Sequence, residues 1–144
     1  MNLVENIASE PSPVQAENTI SMPMGLLGFE RIKEYLLLAD PAEEPFLWLQ
    51  VSREENLAFL VVAPQPLVPS YKPEISPEDA AFLGLTSADD AALLSIVTVR
   101  GPNQVTLNLK GPIVLNRCTL VAKQVIPVNA AEFSVQHPLP VVQP

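Results

Sequence analysis

Residues 91–126 read AALLSIVTVRGPNQVTLNLKGPIVLNRCTLVAKQVI, and this stretch decides the fold. Within it, residues 104–110 alternate strictly between polar and apolar side chains, which is the period of a half-buried strand. Residues 93–99 are rich in β-branched side chains and predict the strand that pairs with them. Residues 100–103 supply the turn, because glycine and proline stop a strand and allow a tight reversal.

Two more strands are predicted in the same stretch. Gly111 and Pro112 interrupt strand pairing, since proline has no N–H to donate, and residues 113–115 begin a new apolar run. A second reversal at Asn116 and Arg117 leads into residues 119–126. We therefore predict a four-stranded meander onto which the rest of the chain packs.

The composition favours a fold made of short strands. The chain has 144 residues, enough for one domain, and 48% of them are hydrophobic. It has 16 prolines and only 5 glycines, and long helices do not tolerate that density of proline. The sequence thus predicts a mostly β, single-domain, antiparallel, β-barrel-like fold with one or two short helices.

The elements before residue 91 follow the same pattern. Four further strands are predicted at residues 18–22, 35–39, 46–51 and 57–62. A short helix begins at Ser76, with Pro77 in its first turn, and ends at Gly84, and one more helical turn is predicted at residues 87–90. We assign residues 1–16 to a mobile arm, 17–139 to the β domain and 140–144 to a frayed tail.

Charge divides the chain into two unequal parts. Residues 1–90 carry fifteen acids and four bases, whereas residues 91–144 carry one acid and four bases, for a net charge of −8. An acidic surface argues against direct binding to nucleic acid, whose phosphates need lysine and arginine, and favours a basic partner. A merely solvated acidic surface is an equally good interpretation of the charge alone.

Catalytic and metal-binding residues are scarce. Cys118 and His137 are the single cysteine and histidine, so neither a disulfide nor a thiolate zinc site can form within the chain. We expect Cys118 to pack beside the last hairpin as a small hydrophobe. The paired carboxylates fall in loops, where solvated charge is more common than acid–base or cation chemistry. The sequence gives no positive evidence for an enzyme, a metal or a cofactor.

Localisation follows from what the N-terminus lacks. It has no basic and apolar signal segment, and no run approaches the length that spans a membrane. We expect a cytoplasmic protein that has no membrane contact and is a monomer when free.

Residues 24–30 (MGLLGFE) form an apolar loop with two glycines. Gly25 and Gly28 are expected to adopt a left-handed or closely packed backbone there. Phosphate binding is the alternative, but the loop lacks both the GxGxxG pattern and a following lysine with serine or threonine.

The ordered set of motifs resembles the FliW family of flagellar assembly factors. The matching pieces are GLLGF at 25–29 with YLLLA at 35–39, PFLWLQ at 45–50, LAFLVV at 57–62 with Pro64, Tyr71, TLNLKGPIVLN at 106–116, AKQV at 122–125 and HPL at 137–139. Two positions depart from the family pattern. Leu27 replaces a proline, which leaves the loop less rigid, and the region after Asn116 is less basic than is usual.

The resemblance implies a compact β-barrel-like fold and a non-enzymatic function. Members of the family bind CsrA, a small RNA-binding repressor of translation, and relieve its repression of flagellin mRNA, while flagellin competes by binding the FliW protein. The resemblance implies that acidic residues face CsrA and that an apolar surface receives a flagellin helix. The residues expected at these partner surfaces are Glu43, Glu44, Gln50, Leu26, Leu27, Phe29, Tyr71, Asn108 and Asn116.

Other interpretations remain open at this point. Asn108 and Asn116 can orient a binding edge or simply hold a turn. The chain can also be a secretion chaperone that binds flagellin alone, or a β-barrel hydrolase that uses loop carboxylates with or without a metal.

Overall fold

The computed structural model describes residues 19–52 and 57–139. Nine short strands form one antiparallel sheet: β1 Thr19–Ser21, β2 Glu34–Ala39, β3 Leu47–Val51, β4 Ala58–Val62, β5 Ala91–Gly101, β6 Gln104–Leu107, β7 Ile113–Asn116, β8 Ala122–Gln124 and β9 His137–Pro138. The prediction of a mostly β, antiparallel, single-domain fold is confirmed. The segments assigned to an arm, 1–16, and to a tail, 140–144, lie outside the described residues.

Strands β1 to β5 are neighbours in sequence and in space. Each pairs antiparallel with the next, as in Leu37 opposite Leu49 and Leu49 opposite Phe59. The four strands predicted before residue 91 are therefore present, each within a residue or two of its predicted bounds. In β2 and β3 alternate residues are fully buried, so each strand has one face in the core and one face turned outward.

The predicted four-stranded meander is wrong. Strands β6 and β7 do not pair with each other. Both pair with β5, β7 along its first part and β6 along its last part. Residues 108–112 form a loop between β6 and β7 but do not reverse the chain, so β7 runs along β5 in the same direction as β6. The strand predicted over residues 104–110 ends early, at Leu107, because the Asn108 side chain turns the chain before Gly111 and Pro112 are reached. Pairing with β5 then resumes with Ile113 opposite Leu94.

The strand predicted at residues 119–126 is shorter than expected. It covers only Ala122–Gln124, because the preceding turn extends through Leu120, whose φ is 60°. Cys118 is exposed in this turn, so the expectation that it packs as a small hydrophobe is wrong. Its backbone N–H donates to the Asn116 side chain at 2.8 Å.

The sheet curls until its ends nearly meet. Val121, next to β8, forms a bridge with Ser21 of β1, and the Ser21 N–H donates to the Leu120 carbonyl at 3.0 Å. This single bridge makes the sheet barrel-like without closing it. The enclosed core is lined by residues that are almost fully buried: Ile20, Met22, Leu26, Tyr35, Leu37, Leu49, Val61, Leu94, Ile113 and Leu115.

Two smaller apolar clusters lie on the outer side of the sheet. One contains Val62, Tyr71, Val97, Leu107 and Leu109, and the loop at residues 67–71 packs against it. The other contains Leu83, Val114 and Val125, with Leu93 at its margin. Between them they cover the outer side of β4 to β8, which leaves the outer side of β2 and β3 uncovered in the described structure.

The predicted helix, α1, spans Pro77–Phe82. The Ser76 hydroxyl accepts a hydrogen bond from the Asp79 N–H at 3.1 Å, and Pro77 occupies the first turn, as predicted. Gly84 follows the helix with φ 68°. Neither α1 nor any other helix in the described residues has the length and apolar content to cross a membrane.

The extra helical turn predicted at residues 87–90 is a 3₁₀ turn at Ala88–Asp90. The Asp90 carboxylate accepts hydrogen bonds from the Thr86 hydroxyl at 2.7 Å and from the N–H groups of Thr86 and Ser87 at 3.0 and 3.1 Å. These bonds, with that from the Thr86 hydroxyl the largest cause, hold the pKa of Asp90 below its ordinary value. The carboxylate thereby fixes the chain at the entry to β5.

Candidate partner-binding site

The apolar loop at residues 24–30 has a positive φ at both of its glycines, a conformation that favours glycine. Gly25 has φ 66° and donates its N–H to the Met22 carbonyl at 2.8 Å. A Cβ at Gly25 would lie 2.6 Å from Glu30 Cα and 2.7 Å from the Phe29 carbonyl oxygen. Gly28 also has a positive φ, 89°, which confirms the expected conformation at both glycines.

Two of the three predicted loop residues reach the surface. Leu27 is 62% exposed, and Phe29 is 37% exposed and packs edge-on against Phe59 at 5.1 Å between ring centroids. Met24, which was not predicted, is 54% exposed beside them. Leu26 is only 1% exposed and belongs to the central core. The loop thus presents Met24, Leu27 and Phe29 outward and is anchored by Leu26.

Gln124 ties this loop to a second one. Its side-chain oxygen accepts a hydrogen bond from the Leu27 N–H at 2.9 Å, and its amide nitrogen donates to the Gly111 carbonyl at 2.9 Å. A side chain at Gly111 would lie 3.1 Å from that nitrogen, so glycine leaves the space that the tether uses. Sequence reasoning assigned Gln124 no role, and the one signal was its place in the AKQV motif.

Asn108 shapes the second loop. Its side-chain oxygen accepts hydrogen bonds from the N–H groups of Lys110 and Gly111 at 3.1 and 3.0 Å. These bonds turn the chain out of β6 and present the Gly111 carbonyl to Gln124. Of the two interpretations of Asn108, holding a turn is the one that these contacts support.

Asn116 lies apart from this loop pair and is 4% exposed. Its amide nitrogen donates to the Leu83 carbonyl at 2.7 Å, and its oxygen accepts from the N–H groups of Cys118 and Thr119. The side chain therefore joins the end of α1 to the turn between β7 and β8, and a partner cannot reach it directly.

Tyr71 is also buried, at 3% exposure. Its hydroxyl donates to the Leu109 carbonyl at 2.7 Å, and its ring packs edge-on against Phe133 at 4.7 Å. Burial raises the pKa of Tyr71, so the hydroxyl stays protonated as a donor. A partner that docks on this surface meets Tyr71 only as part of the wall beneath it.

The acidic residues 40–44 surround a 3₁₀ turn at Pro41–Glu43. The Asp40 carboxylate accepts from the Ala42 N–H at 3.0 Å, and the Glu43 carboxylate accepts from the Trp48 indole N–H at 2.9 Å. Glu43 and Glu44 are exposed. We refer to residues 40–44 as the acidic turn.

The acidic turn adjoins the outer face of β2 and β3. Trp48 and Gln50 point outward from β3, opposite Leu38 and Leu36 of β2, and all four are half-buried. The sequence does not reveal this outward face, because YLLLA at residues 35–39 is apolar at every position and so shows no alternation between a buried and an exposed side. Glu43, Glu44 and Gln50 thus share one surface, and Leu27 and Phe29 share another.

The structure brings together no acids, histidines or cysteines in a metal-binding arrangement. Within residues 19–52 and 57–139, no group of three or more such side chains is close enough to hold a metal ion. His137 lies in β9 and pairs with Leu107, which belongs to the outer cluster that contains Tyr71.

Comparison with known proteins identifies the family. The sequence model of the family described as "FliW protein" matches residues 4–139. The flagellar assembly factor FliW of Leptospira biflexa is 45% identical over 105 residues, which are 72% of this chain and 69% of that protein. The one of Natranaerobius thermophilus is 35% identical over 130 residues, which are 88% and 84% of the two proteins. This chain belongs to the FliW family.

The fold agrees with that assignment. A crystal structure of the flagellar assembly factor FliW superposes with a TM-score of 0.81 at 30% identity and covers 90% of this chain and 91% of that one. The resemblance inferred from the motifs at residues 25–29, 106–116 and 137–139 is therefore confirmed. The FliW match begins at residue 4, ahead of the boundary that we placed at residue 17.

Proposed function

We propose that this FliW-family protein is a cytoplasmic, non-enzymatic regulator that binds CsrA and relieves its repression of flagellin translation, and that flagellin competes for it. The observation that carries the proposal is the family match over residues 4–139. The separate acidic and apolar surfaces support it, because each suits one of the two partners.

The acidic turn, with the outer face of β2 and β3, suits CsrA. A protein that binds RNA presents lysine and arginine to phosphates, and an acidic surface attracts the same groups. Glu43 and Glu44 supply charge next to the half-buried Trp48, and Gln50 supplies a hydrogen-bonding amide. Aromatic groups beside charge are common at the centres of protein interfaces.

We expect Glu44→Lys to weaken CsrA binding about fivefold, or ~1 kcal/mol, at low salt. The cause is lost attraction to a basic partner, so the effect should lie mainly in the association rate and shrink as salt screens it. Surface plasmon resonance at ~50 mM and ~500 mM salt measures both. Glu132→Lys makes the same charge change in the Ala130–Glu132 turn and is the matched control.

An equal loss of affinity in both variants would show that net charge, and not the acidic turn, attracts CsrA. Wild-type affinity in Glu44→Lys at both salt concentrations would remove the acidic turn from the interface.

The apolar loop suits a flagellin helix. Met24, Leu27 and Phe29 are exposed on a backbone that Leu26 and Gln124 hold in place. An amphipathic helix docks through apolar anchors on such a surface, and a preorganised loop lowers the entropy lost on binding.

We expect Leu27→Asp to weaken flagellin binding at least about tenfold, because it places a charge where an apolar anchor would be desolvated. Its folding stability should stay within ~0.5 kcal/mol of wild type, since the side chain is 62% exposed. Isothermal calorimetry with purified flagellin measures the affinity. Val99→Asp, at a residue 58% exposed in β5, is the matched control. Equal binding by the two variants would contradict a role for the loop.

Titration of CsrA into the free and the flagellin-saturated protein tests the function itself. We expect CsrA binding that flagellin abolishes. Heat with flagellin alone would support a chaperone that has no translational partner, and heat with neither would refute the proposal.

A further inference from the structure

A groove of about 850 Å³ lies on the outer side of β5, away from the apolar loop and the acidic turn. One wall is the proline-rich segment 63–73, and the other is formed by residues 85–88 after α1. Ala91 and Leu93 of β5 are half-buried and contribute apolar surface to its floor, and Val114 of β7 is buried beneath it.

Strand β5 leaves one edge open in this groove. Its pairing with β4 ends at Val62 and Ser95, after which the chain turns away. From the other edge, β7 pairs with residues 91–94, and the Arg117 N–H donates to the Asp90 carbonyl at 2.8 Å. Backbone groups of successive residues in an antiparallel strand point to opposite edges. The backbone C=O of Asp90 points toward β7. Because Leu93 lies three residues further along, its N–H and C=O point to the opposite edge, the one along which β4 no longer runs.

The groove is cationic in an acidic protein. Lys72 and Arg117 line it, and none of the described residues that line it is an aspartate or glutamate. The Arg117 Nε is buried and has no hydrogen-bond partner. A buried donor without an acceptor costs free energy, and a ligand oxygen would remove that cost. The nearby Asp90 carboxylate is already engaged by Thr86 and Ser87.

We propose that this groove binds an extended, acidic segment of a partner protein, which adds a strand to the edge of β5 at Leu93. The backbone of the segment pairs with Leu93, alternate apolar side chains rest on the groove floor, and a carboxylate accepts hydrogen bonds from Arg117. The groove contains no residue of the acidic turn or the apolar loop, and of the residues expected at partner surfaces only Tyr71 lines it. The binding proposed here therefore does not use either surface on which the proposed function rests.

A random twelve-residue peptide library on phage tests the proposal. We expect selection on the wild-type protein to enrich peptides that combine alternating apolar residues with an acid. Synthetic versions should bind Arg117→Glu at least about tenfold more weakly, which is ~1.4 kcal/mol. Lys110→Glu makes the same kind of charge reversal at a residue that does not line the groove, and it should bind like wild type. If Arg117→Glu does not fold, Lys72→Glu replaces it, and we expect that variant also to bind the acidic peptides more weakly than wild type.

Backbone methylation separates strand addition from simple charge attraction. N-methylation of a peptide amide that points at β5 should abolish binding, whereas methylation of the next amide along should leave it unchanged. Equal effects at successive amides would overturn the strand pairing. Selected peptides without an enriched acidic residue, or peptides that bind wild type and Arg117→Glu equally, would overturn the proposal that a peptide carboxylate binds Arg117.

Other occupants of the groove give distinct results. A dimer in sedimentation that selected peptides dissociate would mean that a second copy fills the groove. A variant lacking residues 1–16 that binds the peptides more than about tenfold tighter would mean that the chain's own segment does. Either result overturns the proposal, and neither bears on CsrA or flagellin.

Discussion

Replacing Gly25 by alanine is expected to destabilise the protein by at least about 3 kcal/mol. A left-handed backbone costs a non-glycine residue roughly 1–3 kcal/mol. At Gly25 an added Cβ also meets backbone atoms, at 2.6 Å from Glu30 Cα and 2.7 Å from the Phe29 carbonyl oxygen. Backbone cannot rotate away as a side chain can, so the loop has to move. Urea unfolding followed by Trp48 fluorescence measures the change.

Gly28→Ala is the matched control. Gly28 also has a positive φ, 89°, but a Cβ there meets nothing within 4 Å. We expect it to cost only about 1 kcal/mol, from the backbone conformation alone. Equal destabilisation by the two variants would show that conformation, and not the close approach to residues 29 and 30, requires glycine in this loop.

The Gly25 substitution also reports on binding. A displaced loop no longer holds Leu27 and Phe29 in place, although both side chains remain in the sequence. We expect the folded fraction of Gly25→Ala to lose flagellin affinity at least as far as Leu27→Asp does, with CsrA affinity retained. Retained flagellin affinity would mean that the geometry of the loop does not matter for that partner.

Local sequence patterns predicted where most strands lie, but they did not predict which strands pair with each other. The apolar runs at 35–39 and 46–51 are properties of the chain itself, and they placed strands correctly. The alternation at residues 104–110 placed the start of β6 correctly but not its end, which is at Leu107. The meander failed because pairing is non-local. Gly111 and Pro112 indicate that a strand is interrupted. They do not indicate whether the next strand pairs with β6 or continues along β5.

In the candidate site, too, the sequence predicted the local features but not those that depend on how the chain folds. The glycines predicted an unusual loop, and Gly25 and Gly28 do adopt positive φ. Leu26 and Leu27 are chemically identical neighbours, yet one is 1% and the other 62% exposed. Which of them faces the solvent depends on the turn that Gly25 makes, and no periodicity encodes that turn. The tether at Gln124 joins residues 97 positions apart, so it too is a product of the fold.

Asn116→Ala is expected to cost about 3 kcal/mol, which would make this asparagine a main determinant of stability and not a contact for a partner. Its side chain is buried and makes three hydrogen bonds, at 2.7 Å to the Leu83 carbonyl and at 2.8 and 3.1 Å from the Cys118 and Thr119 N–H groups. Alanine removes all of them and leaves the Leu83 carbonyl without that donor. Chemical denaturation of the variant measures the loss.

Asn108→Ala separates this effect from the general role of asparagine in turns. Asn108 also accepts two N–H groups, at 3.1 and 3.0 Å, but it is only half-buried and its turn can be solvated. We expect a cost of about 1 kcal/mol there, near that of an ordinary hydrogen bond. Asn116→Asp keeps the acceptor and loses the donor, and it places a charge beside the Leu83 carbonyl, so it should be no better than alanine. If Asn116→Ala costs no more than Asn108→Ala and instead weakens partner binding, Asn116 belongs to an interface after all.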